Sequence, residues 1–278
     1  MAQAFMRPRF FIIGERKCAT SSLYRYLVAH PNVLPCQLKE PQFFAKSPAE
    51  IHAGIEQYWA MFPGKEGTDS ISFEWPELNQ EGILYHETVQ TQRIVGRKYM
   101  TGEASANTFH EGHPALVRQY LPEIKLILLL RDPAARAFSH HRMFQRFKEE
   151  GRDFARGTRS FAEDMAAGMA TVAAGGQDEF VAPGCYLHNL RRWEAHFPRE
   201  QIRIYWTETL ESAPECILQD LLKWLELPPH DYGALLQKRF NQAPPATANA
   251  ETLTKLKTFY QPYNEALATH LNRQLPWA

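Results

Sequence analysis

A loop rich in hydroxyl groups, with a lysine at its centre, follows an apolar run near the start of the chain. Residues 10–13 read Phe-Phe-Ile-Ile, and residues 14–23 read Gly-Glu-Arg-Lys-Cys-Ala-Thr-Ser-Ser-Leu. This order predicts a strand, a tight loop and the start of a helix, whose unpaired N–H groups and partial positive charge suit a bound phosphate. Lys17 adds a cation that can follow charge as it develops on a phosphate or sulfate oxygen. The segment therefore predicts a site for a phosphorylated nucleotide or cofactor.

A second candidate segment follows the apolar run at 125–130, which is typical of a central parallel strand buried on both faces. This run ends in Arg131-Asp132-Pro133, and Ser139 lies eight residues after Arg131, on the helix that Pro133 is expected to open. An arginine at the carboxyl end of such a strand points into the crevice where open α/β sheets bind ligands. A guanidinium group together with a hydroxyl group suits a terminal phosphate monoester.

The position of the lysine distinguishes this loop from a Walker A motif, in which Gly-Lys precedes the Ser or Thr that binds Mg²⁺. Here Lys17 comes three residues after Gly14, and Ala19-Thr20 occupies the place of Gly-Lys. The loop resembles the 5′-phosphosulfate-binding loop of sulfotransferases that use 3′-phosphoadenosine 5′-phosphosulfate (PAPS). The pattern Leu-Arg-Asp-Pro-x-x-Arg-x-x-Ser resembles their 3′-phosphate-binding motif. Other segments similar to the heparan-sulfate-type and related bacterial members are Lys39-Glu40-Pro41-Gln42-Phe43-Phe44, Gly102-Glu103-Ala104-Ser105, Gly184-Cys185-Tyr186 and the closing stretch at 259–277.

This resemblance implies transfer of a sulfuryl group from PAPS to a hydroxyl group of a carbohydrate, glycolipid or small-metabolite acceptor, with PAP as the product and without a metal. It implies that Lys17 stabilises the leaving oxygen of the phosphosulfate and that Glu40 is the general base, with Glu103 as the rival candidate. The residues that it implies for nucleotide binding are Arg16, Lys17, Cys18, Ala19, Thr20, Ser21, Ser22, Arg131, Ser139, Tyr186, Lys238 and Arg239.

Two other functions stay open at this point. One is a P-loop kinase-like phosphotransferase, which would need Mg²⁺ and a Walker lysine. The other is a catalytically silent module that binds PAP or another nucleotide. Lys17 and Glu40 beside both phosphate motifs favour an active sulfotransferase. The acceptor, the position that is sulfated and the oligomeric state stay undetermined by the sequence.

The elements that must position these residues alternate along the chain between short apolar runs and stretches of helical periodicity. This alternation predicts an α/β fold, and the resemblance implies a P-loop-like, doubly wound, mainly parallel sheet flanked by helices, as a single domain over residues 1–278. The strands are expected at 10–13, 33–34, 97–102, 125–130 and 202–206. Helices are expected from the end of the first loop to Pro31 and at about 114–121, 134–149, 160–172, 186–196, 214–225 and 251–271.

The composition of the chain limits the kinds of partner and the cellular compartment that the sequence predicts. The chain has 31 basic and 31 acidic residues, and this balance argues against a nucleic-acid partner. Its four cysteines are scattered without a C-x-x-C pair, which favours reduced thiols. The absence of a signal-peptide pattern and of a run of about 20 apolar residues predicts a cytoplasmic protein without a membrane span.

Overall fold

Strands and helices alternate along the part of the chain that the structure, a computed structural model, describes: residues 5–65, 70–78, 84–92, 97–238, 240 and 246–277, with the backbone alone for 70–78 and 84–92. The strands in these ranges are β1 (Phe10–Gly14), β2 (Val33–Leu34), β3 (Ser70–Leu78), β4 (Leu84–Gln92), β5 (Met100–Ala104), β6 (Lys125–Leu130) and β7 (Ile202–Trp206). The α-helices are α1 (Thr20–Ala29), α2 (Pro48–Trp59), α3 (Thr108–Glu111), α4 (Pro114–Tyr120), α5 (Pro133–Glu149), α6 (Phe161–Ala173), α7 (Tyr186–Glu194), α8 (Thr207–Ser212), α9 (Pro214–Trp224) and α10 (Ala250–Leu271). None of these helices is both long enough and apolar enough to cross a bilayer.

The central sheet has the strand order β2-β5-β1-β6-β7, and each neighbouring pair is parallel. The chain leaves β1 through α1 towards one edge of the sheet, whereas it leaves β6 towards the other edge. Connections that diverge in this way leave a crevice outside the carboxyl ends of the two adjacent strands, which is where open α/β sheets bind ligands. The parallel α/β fold that the sequence predicts is therefore confirmed.

Alternate residues of the two central strands pack into separate hydrophobic clusters. Phe11 of β1 and Leu126 of β6 face a cluster that includes residues of α2, α4, α7 and α10. Phe10 of β1 and Ile127 of β6 face a second cluster with residues of α1 and α9. Because successive side chains of a strand point to opposite faces, a strand covered by helices on both sides has to be apolar throughout.

The sequence analysis did not predict α2, α3, α8, β3 or β4. The longest of these elements form two features. One is α2, which begins with a capping box between Ser47 and Glu50 and has Pro48 in its first turn. The other is the antiparallel pair of β3 and β4, whose register runs from Ser70 opposite Gln92 to Leu78 opposite Leu84. The hairpin forms a separate two-stranded sheet, so the five parallel strands alone position the crevice.

Candidate functional site

A cavity of about 1450 Å³ opens where the chain leaves β1 and β6. Its wall contains residues of the loop after β1, of the segment after β6 and of α5 from Ala135 to Phe147. It thus occupies the crevice that the divergence of the two strand connections creates. The sequence-predicted residues that the structure brings together in this wall are Arg16, Lys17, Ala19, Thr20, Ser21, Ser22, Glu40, Arg131 and Ser139.

The loop after β1 presents a helix N-terminus to the cavity. Gly14 ends the strand against α3, and a Cβ there would lie 2.6 Å from the Cβ of Phe109. Lys17 and Ala19 both adopt left-handed backbone conformations, with φ of 67° and 62°. Ala19 is the N-cap of α1 and has no side-chain oxygen to accept from the first-turn N–H groups. Left-handed turns and uncapped helix N-termini are both arrangements that bind anions.

Lys17 is a partly buried cation with a weak partner. Its Nζ lies 3.7 Å from the Sδ of Met143, and a thioether is a poor acceptor. Burial, together with the positive charges of Arg146, Arg131 and Arg142, lowers the pKa of Lys17 to about 8, and the Glu40 carboxylate opposes this shift. A bound anion would relieve both the burial and the repulsion of this ammonium group.

Arg131 joins the two phosphate motifs. Its Nη1 donates to the carbonyl oxygen of Lys17 at 3.3 Å, and its own carbonyl accepts from the Tyr186 hydroxyl at 2.8 Å. Asp132 caps α5 by accepting from the N–H of Ala134 at 2.9 Å, which fixes the direction of the helix that carries Ser139. The arginine, the serine and the lysine loop therefore meet at one wall of the cavity.

Other sequence-predicted residues lie around this wall. The Arg16 guanidinium reaches the cavity but lies 3.0 Å from carboxylate oxygens of both Glu111 and Glu179. The side chains of Cys18 and Tyr186 are buried beneath the loop, 0% and 1% exposed, and do not line the cavity. Tyr186 instead supports Arg131 through the bond already described.

The C-terminal segment crosses the start of α1. Lys238 lies outside the cavity wall, and its carbonyl oxygen accepts from the Tyr26 hydroxyl at 2.8 Å. The N–H of Phe240 donates to the Oγ of Ser22 at 3.2 Å, and the Phe240 ring lines the cavity. Arg239, between them, is outside the described residues, so its predicted contact with the nucleotide stays a prediction.

The two candidate bases occupy different environments. Glu40 lines the cavity, on a loop between β2 and α2. Glu103 lies behind it, 1% exposed, and its carboxylate accepts from the hydroxyls of Tyr58 and Ser105, each at 2.6 Å. Burial raises the pKa of Glu103 to about 7, although both hydrogen bonds oppose the shift. Of these two glutamates, Glu40 is the one whose side chain contributes to the cavity wall.

One face of α5 supplies wall residues that sequence reasoning missed. Arg142, Met143 and Arg146 follow Ser139 at helical spacing and line the cavity beside Lys17. Phenylalanine rings extend the wall outward, ending at Phe154, which is 65% exposed. The available signal was the spacing of 3, 4 and 7 residues from Ser139, which places these side chains on the same helix face.

Basic side chains exceed acidic ones in the cavity wall, although the chain as a whole has no net charge. Among the residues that the structure describes, seven lysines and arginines line it against four carboxylates: Arg16, Lys17, Lys39, Arg131, Arg142, Arg146 and Lys257 against Glu40, Asp132, Glu179 and Glu211. A cleft of one sign concentrates ligands of the opposite sign. In the described ranges, no three His, Cys, Asp or Glu side chains group in a way that could hold a metal ion, and the four cysteines are free thiols.

Comparison with known proteins agrees with this geometry. Residues 8–231 match the model of the sulfotransferase family. The chain is 30% identical to the human bifunctional heparan sulfate N-deacetylase/N-sulfotransferase 3 over 231 residues, which is 80% of this chain and 23% of that protein. It is 28% identical to rat carbohydrate sulfotransferase 15 over 165 residues, which is 53% of this chain and 29% of that protein. The chain thus spans about a quarter of the length of these relatives.

The fold has a counterpart among solved structures. The crystal structure of a sulfotransferase from Alicyclobacillus acidocaldarius superimposes with a TM-score of 0.66 at 22% identity, over 97% of each chain. At this identity the likeness establishes the shared fold, and the mainly parallel sheet with flanking helices is the one that the sequence resemblance implies.

Proposed function

Because the chain belongs to the sulfotransferase family, we propose that it transfers a sulfuryl group from PAPS to a hydroxyl or amino group of a carbohydrate. The observation that carries this proposal is the hydrogen bond between Arg131 and the Lys17 carbonyl, since it joins the two phosphate motifs at one cavity. Glu40 lines the same cavity and interacts electrostatically with Lys17.

The residues present suit a donor with two separate phosphate groups. The uncapped N-terminus of α1 and the ammonium group of Lys17 are proposed to hold the 5′-phosphosulfate. Arg131 and Ser139 are proposed to hold the 3′-phosphate, because a planar guanidinium binds two oxygens of a monoester at once. The basic excess of the wall supports a polyanionic donor.

In the proposed reaction, the acceptor oxygen or nitrogen attacks the sulfur atom in line with the bridging oxygen of the phosphosulfate. A new bond to sulfur forms while the sulfur–oxygen bridge breaks, and its electron pair stays on the phosphate oxygen of PAP. Lys17 stabilises the charge on that leaving oxygen, and Glu40 takes the proton of the acceptor. As in phosphoryl transfer, the rate acceleration comes from positioning the acceptor in line with the sulfur and from stabilising the charge on the leaving oxygen.

Two observations support a carbohydrate acceptor. The relatives include proteins named for sulfation of heparan sulfate and of carbohydrates. In addition, Arg142 and Arg146 lie beside a wall of rings that includes Phe147 and Phe154. Sugar faces pack on aromatic rings, and acidic sugars pair with arginine.

Titration calorimetry with PAP, without metal, tests the donor site. We expect binding to the wild type that Arg131→Ala weakens at least about tenfold, since a hydrogen bond to a charged group contributes about 1.5–3 kcal/mol. The matched control is Arg118→Ala, which removes an exposed arginine outside the cavity wall. A wild type that binds ATP with Mg²⁺ but not PAP would refute the PAPS proposal in favour of a phosphotransferase.

Turnover then separates an enzyme from a silent binding module. Release of PAP from PAPS is measured with de-N-sulfated heparan sulfate, unsulfated chondroitin and glucosamine as acceptors. We expect at least one of these carbohydrates to accelerate PAP release, and Glu40→Gln to abolish the acceleration while PAP still binds. Tight PAP binding without any turnover of PAPS would instead identify a silent nucleotide-binding module.

A further inference from the structure

The loop that carries Glu40 has an unfavourable backbone conformation. Glu40 and Gln42, on either side of Pro41, are both left-handed, with φ of 55° and 50°. Residues with a Cβ rarely adopt this conformation, and they persist in it where the surrounding contacts impose it. Contacts from outside the loop must therefore hold Glu40 in its position at the cavity.

A chain of hydrogen bonds ties this loop to the central sheet. The N–H of Gln42 donates to the Oγ of Ser105 at 2.9 Å, and the Ser105 hydroxyl donates to the Oε2 of Glu103 at 2.6 Å. The other carboxylate oxygen of Glu103, Oε1, accepts from the Tyr58 hydroxyl at 2.6 Å. Both oxygens of Glu103 are thus used as acceptors, which is the pattern that an ionised carboxylate satisfies.

The side chains that bond to each other in this way belong to rigid elements of the fold. Glu103 belongs to β5 and lies opposite Phe11 of the central strand β1. Tyr58 belongs to α2, and its ring stacks on Phe43 with 4.5 Å between centroids and meets Phe44 at 5.3 Å. Phe43 and Phe44 follow Gln42 directly, so Tyr58 holds the loop both by ring packing and through Glu103.

We propose that Glu103 is a positioning residue, which acts through Ser105 and Gln42 to hold the Glu40 carboxylate at the cavity. The inference rests on the proposed function, in which Glu40 is the base. In this proposal Glu103 does not exchange a proton with the acceptor, because its carboxylate is buried, accepts two hydrogen bonds and lies outside the cavity wall.

The electrostatic surroundings of Glu103 agree with such a role. The titratable groups that face it are Tyr58 of α2, Tyr24 of α1, Cys36 after β2 and Glu40 of the loop. None of these four is a cation, and burial raises the pKa of Glu103 to about 7. When Oε1 carries the proton and donates to the Tyr58 hydroxyl, Oε2 still accepts from Ser105, so the link to Gln42 is kept in the protonated form.

Amide hydrogen exchange of the peptide at 38–44 tests the proposal without any ligand. Glu103→Gln and Ser105→Ala should each speed exchange in this peptide by about tenfold or more, since each removes a hydrogen bond of the chain. The matched control is Thr101→Val on the same strand, because the Thr101 hydroxyl bonds to the Leu34 carbonyl of β2 at 2.7 Å and not to the loop. The same exchange rates at 38–44 in Glu103→Gln, Ser105→Ala and the control Thr101→Val would overturn the proposal.

A double-mutant cycle on PAPS turnover, with water as the acceptor, tests whether Glu103 acts through Glu40. We expect Glu103→Gln to lower PAP release by about tenfold or more with PAP affinity within about twofold of wild type, and to cause no further loss in Glu40→Gln. Tyr58→Phe should give a smaller loss of the same kind, which keeps the test valid if Glu103→Gln folds poorly.

Two results would contradict the positioning role. Equal losses from Glu103→Gln with and without Glu40→Gln would show that Glu103 acts on its own. A loss of PAP affinity in Tyr58→Phe and Glu103→Gln would show a general structural role. A wild type that neither binds PAP nor consumes PAPS would refute the proposed function itself, and hydrogen exchange would then still report on the loop.

Discussion

The partly buried ammonium group of Lys17 predicts that binding of PAP takes up a proton at alkaline pH. Because burial lowers its pKa to about 8, about half of the free protein carries a neutral Lys17 at pH 8 and about a tenth at pH 7. A phosphate group held against this lysine favours the charged form and raises its pKa. Binding should therefore take up about 0.5 proton at pH 8 and about 0.1 at pH 7.

The same linkage fixes the sign of the pH dependence of affinity. Above pH 8, the free protein must bind a proton before it can bind the phosphate well, so the affinity for PAP falls as the pH rises. Between pH 7 and pH 9 the expected loss is about tenfold. The 3′-phosphate and 5′-phosphate of PAP are largely ionised over this range and contribute little to the change.

Titration calorimetry in buffers of different ionisation enthalpy measures the proton uptake directly. The control is Lys17→Arg, because a guanidinium group stays charged throughout this pH range. The variant should bind PAP without proton uptake at pH 8 and with a flatter pH profile. An uptake near zero in the wild type at pH 8, or the same uptake in Lys17→Arg, would refute the assignment of the phosphate to Lys17.

Three further outcomes are expected. Ser139→Ala should weaken binding of PAP about two- to tenfold, as the loss of one hydrogen bond implies. It should leave binding of AMP unchanged, because AMP lacks the 3′-phosphate. Equal losses of affinity for both nucleotides in calorimetry would contradict the role of Ser139. Excess EDTA should leave the rate of PAP release from PAPS unchanged, and a loss that Mg²⁺ restores would show that a metal takes part. Burial raises the pKa of Glu15 from 4.5 to about 7. Between these two pH values the Glu15 carboxyl is protonated in the folded state and ionised in the unfolded state, so the free energy of unfolding falls as the pH rises from about 4.5 to 7. Glu15→Gln should therefore raise the melting temperature at pH 8 relative to wild type but not at pH 4, and equal differences at both pH values in differential scanning fluorimetry would contradict this linkage.

The parts of the fold that the sequence predicts are those with local signals. The apolar runs before Gly14 and Arg131 are long enough to identify buried parallel strands. β6 ends at Leu130 as expected, and β1 runs one residue beyond the apolar run, to Gly14. Polar residues directly after such strands must reach the carboxyl edge of the sheet. The two phosphate motifs could therefore be placed at one crevice before the structure was known.

The elements that sequence reasoning missed have mixed local signals. The segment that forms β3 has Ile71, Phe73 and Trp75 at the two-residue spacing of a strand, but Pro76 follows at once, and proline argues against a strand interior. The start of α2 has the Ser-x-x-Glu pattern of a capping box, yet its first turns read Pro-Ala-Glu-Ile-His-Ala-Gly, with little apolar periodicity. In both cases one local rule opposes another, and tertiary packing decides.

The choice between Glu40 and Glu103 illustrates what local sequence cannot encode. Glu40 follows β2 by six residues, and Glu103 lies within β5. Both lie in segments that resemble the same family, so residue type and local pattern alone do not distinguish them. They differ because Tyr58, 45 residues before Glu103, reaches its carboxylate through the fold, while Ser105 links that carboxylate to the Glu40 loop. A carboxylate that is buried in the core and lies outside the cavity wall is out of reach of an acceptor hydroxyl. The proposal that Glu40 takes the proton therefore rests on contacts between distant segments, and these contacts also explain why a buried glutamate lies directly behind it.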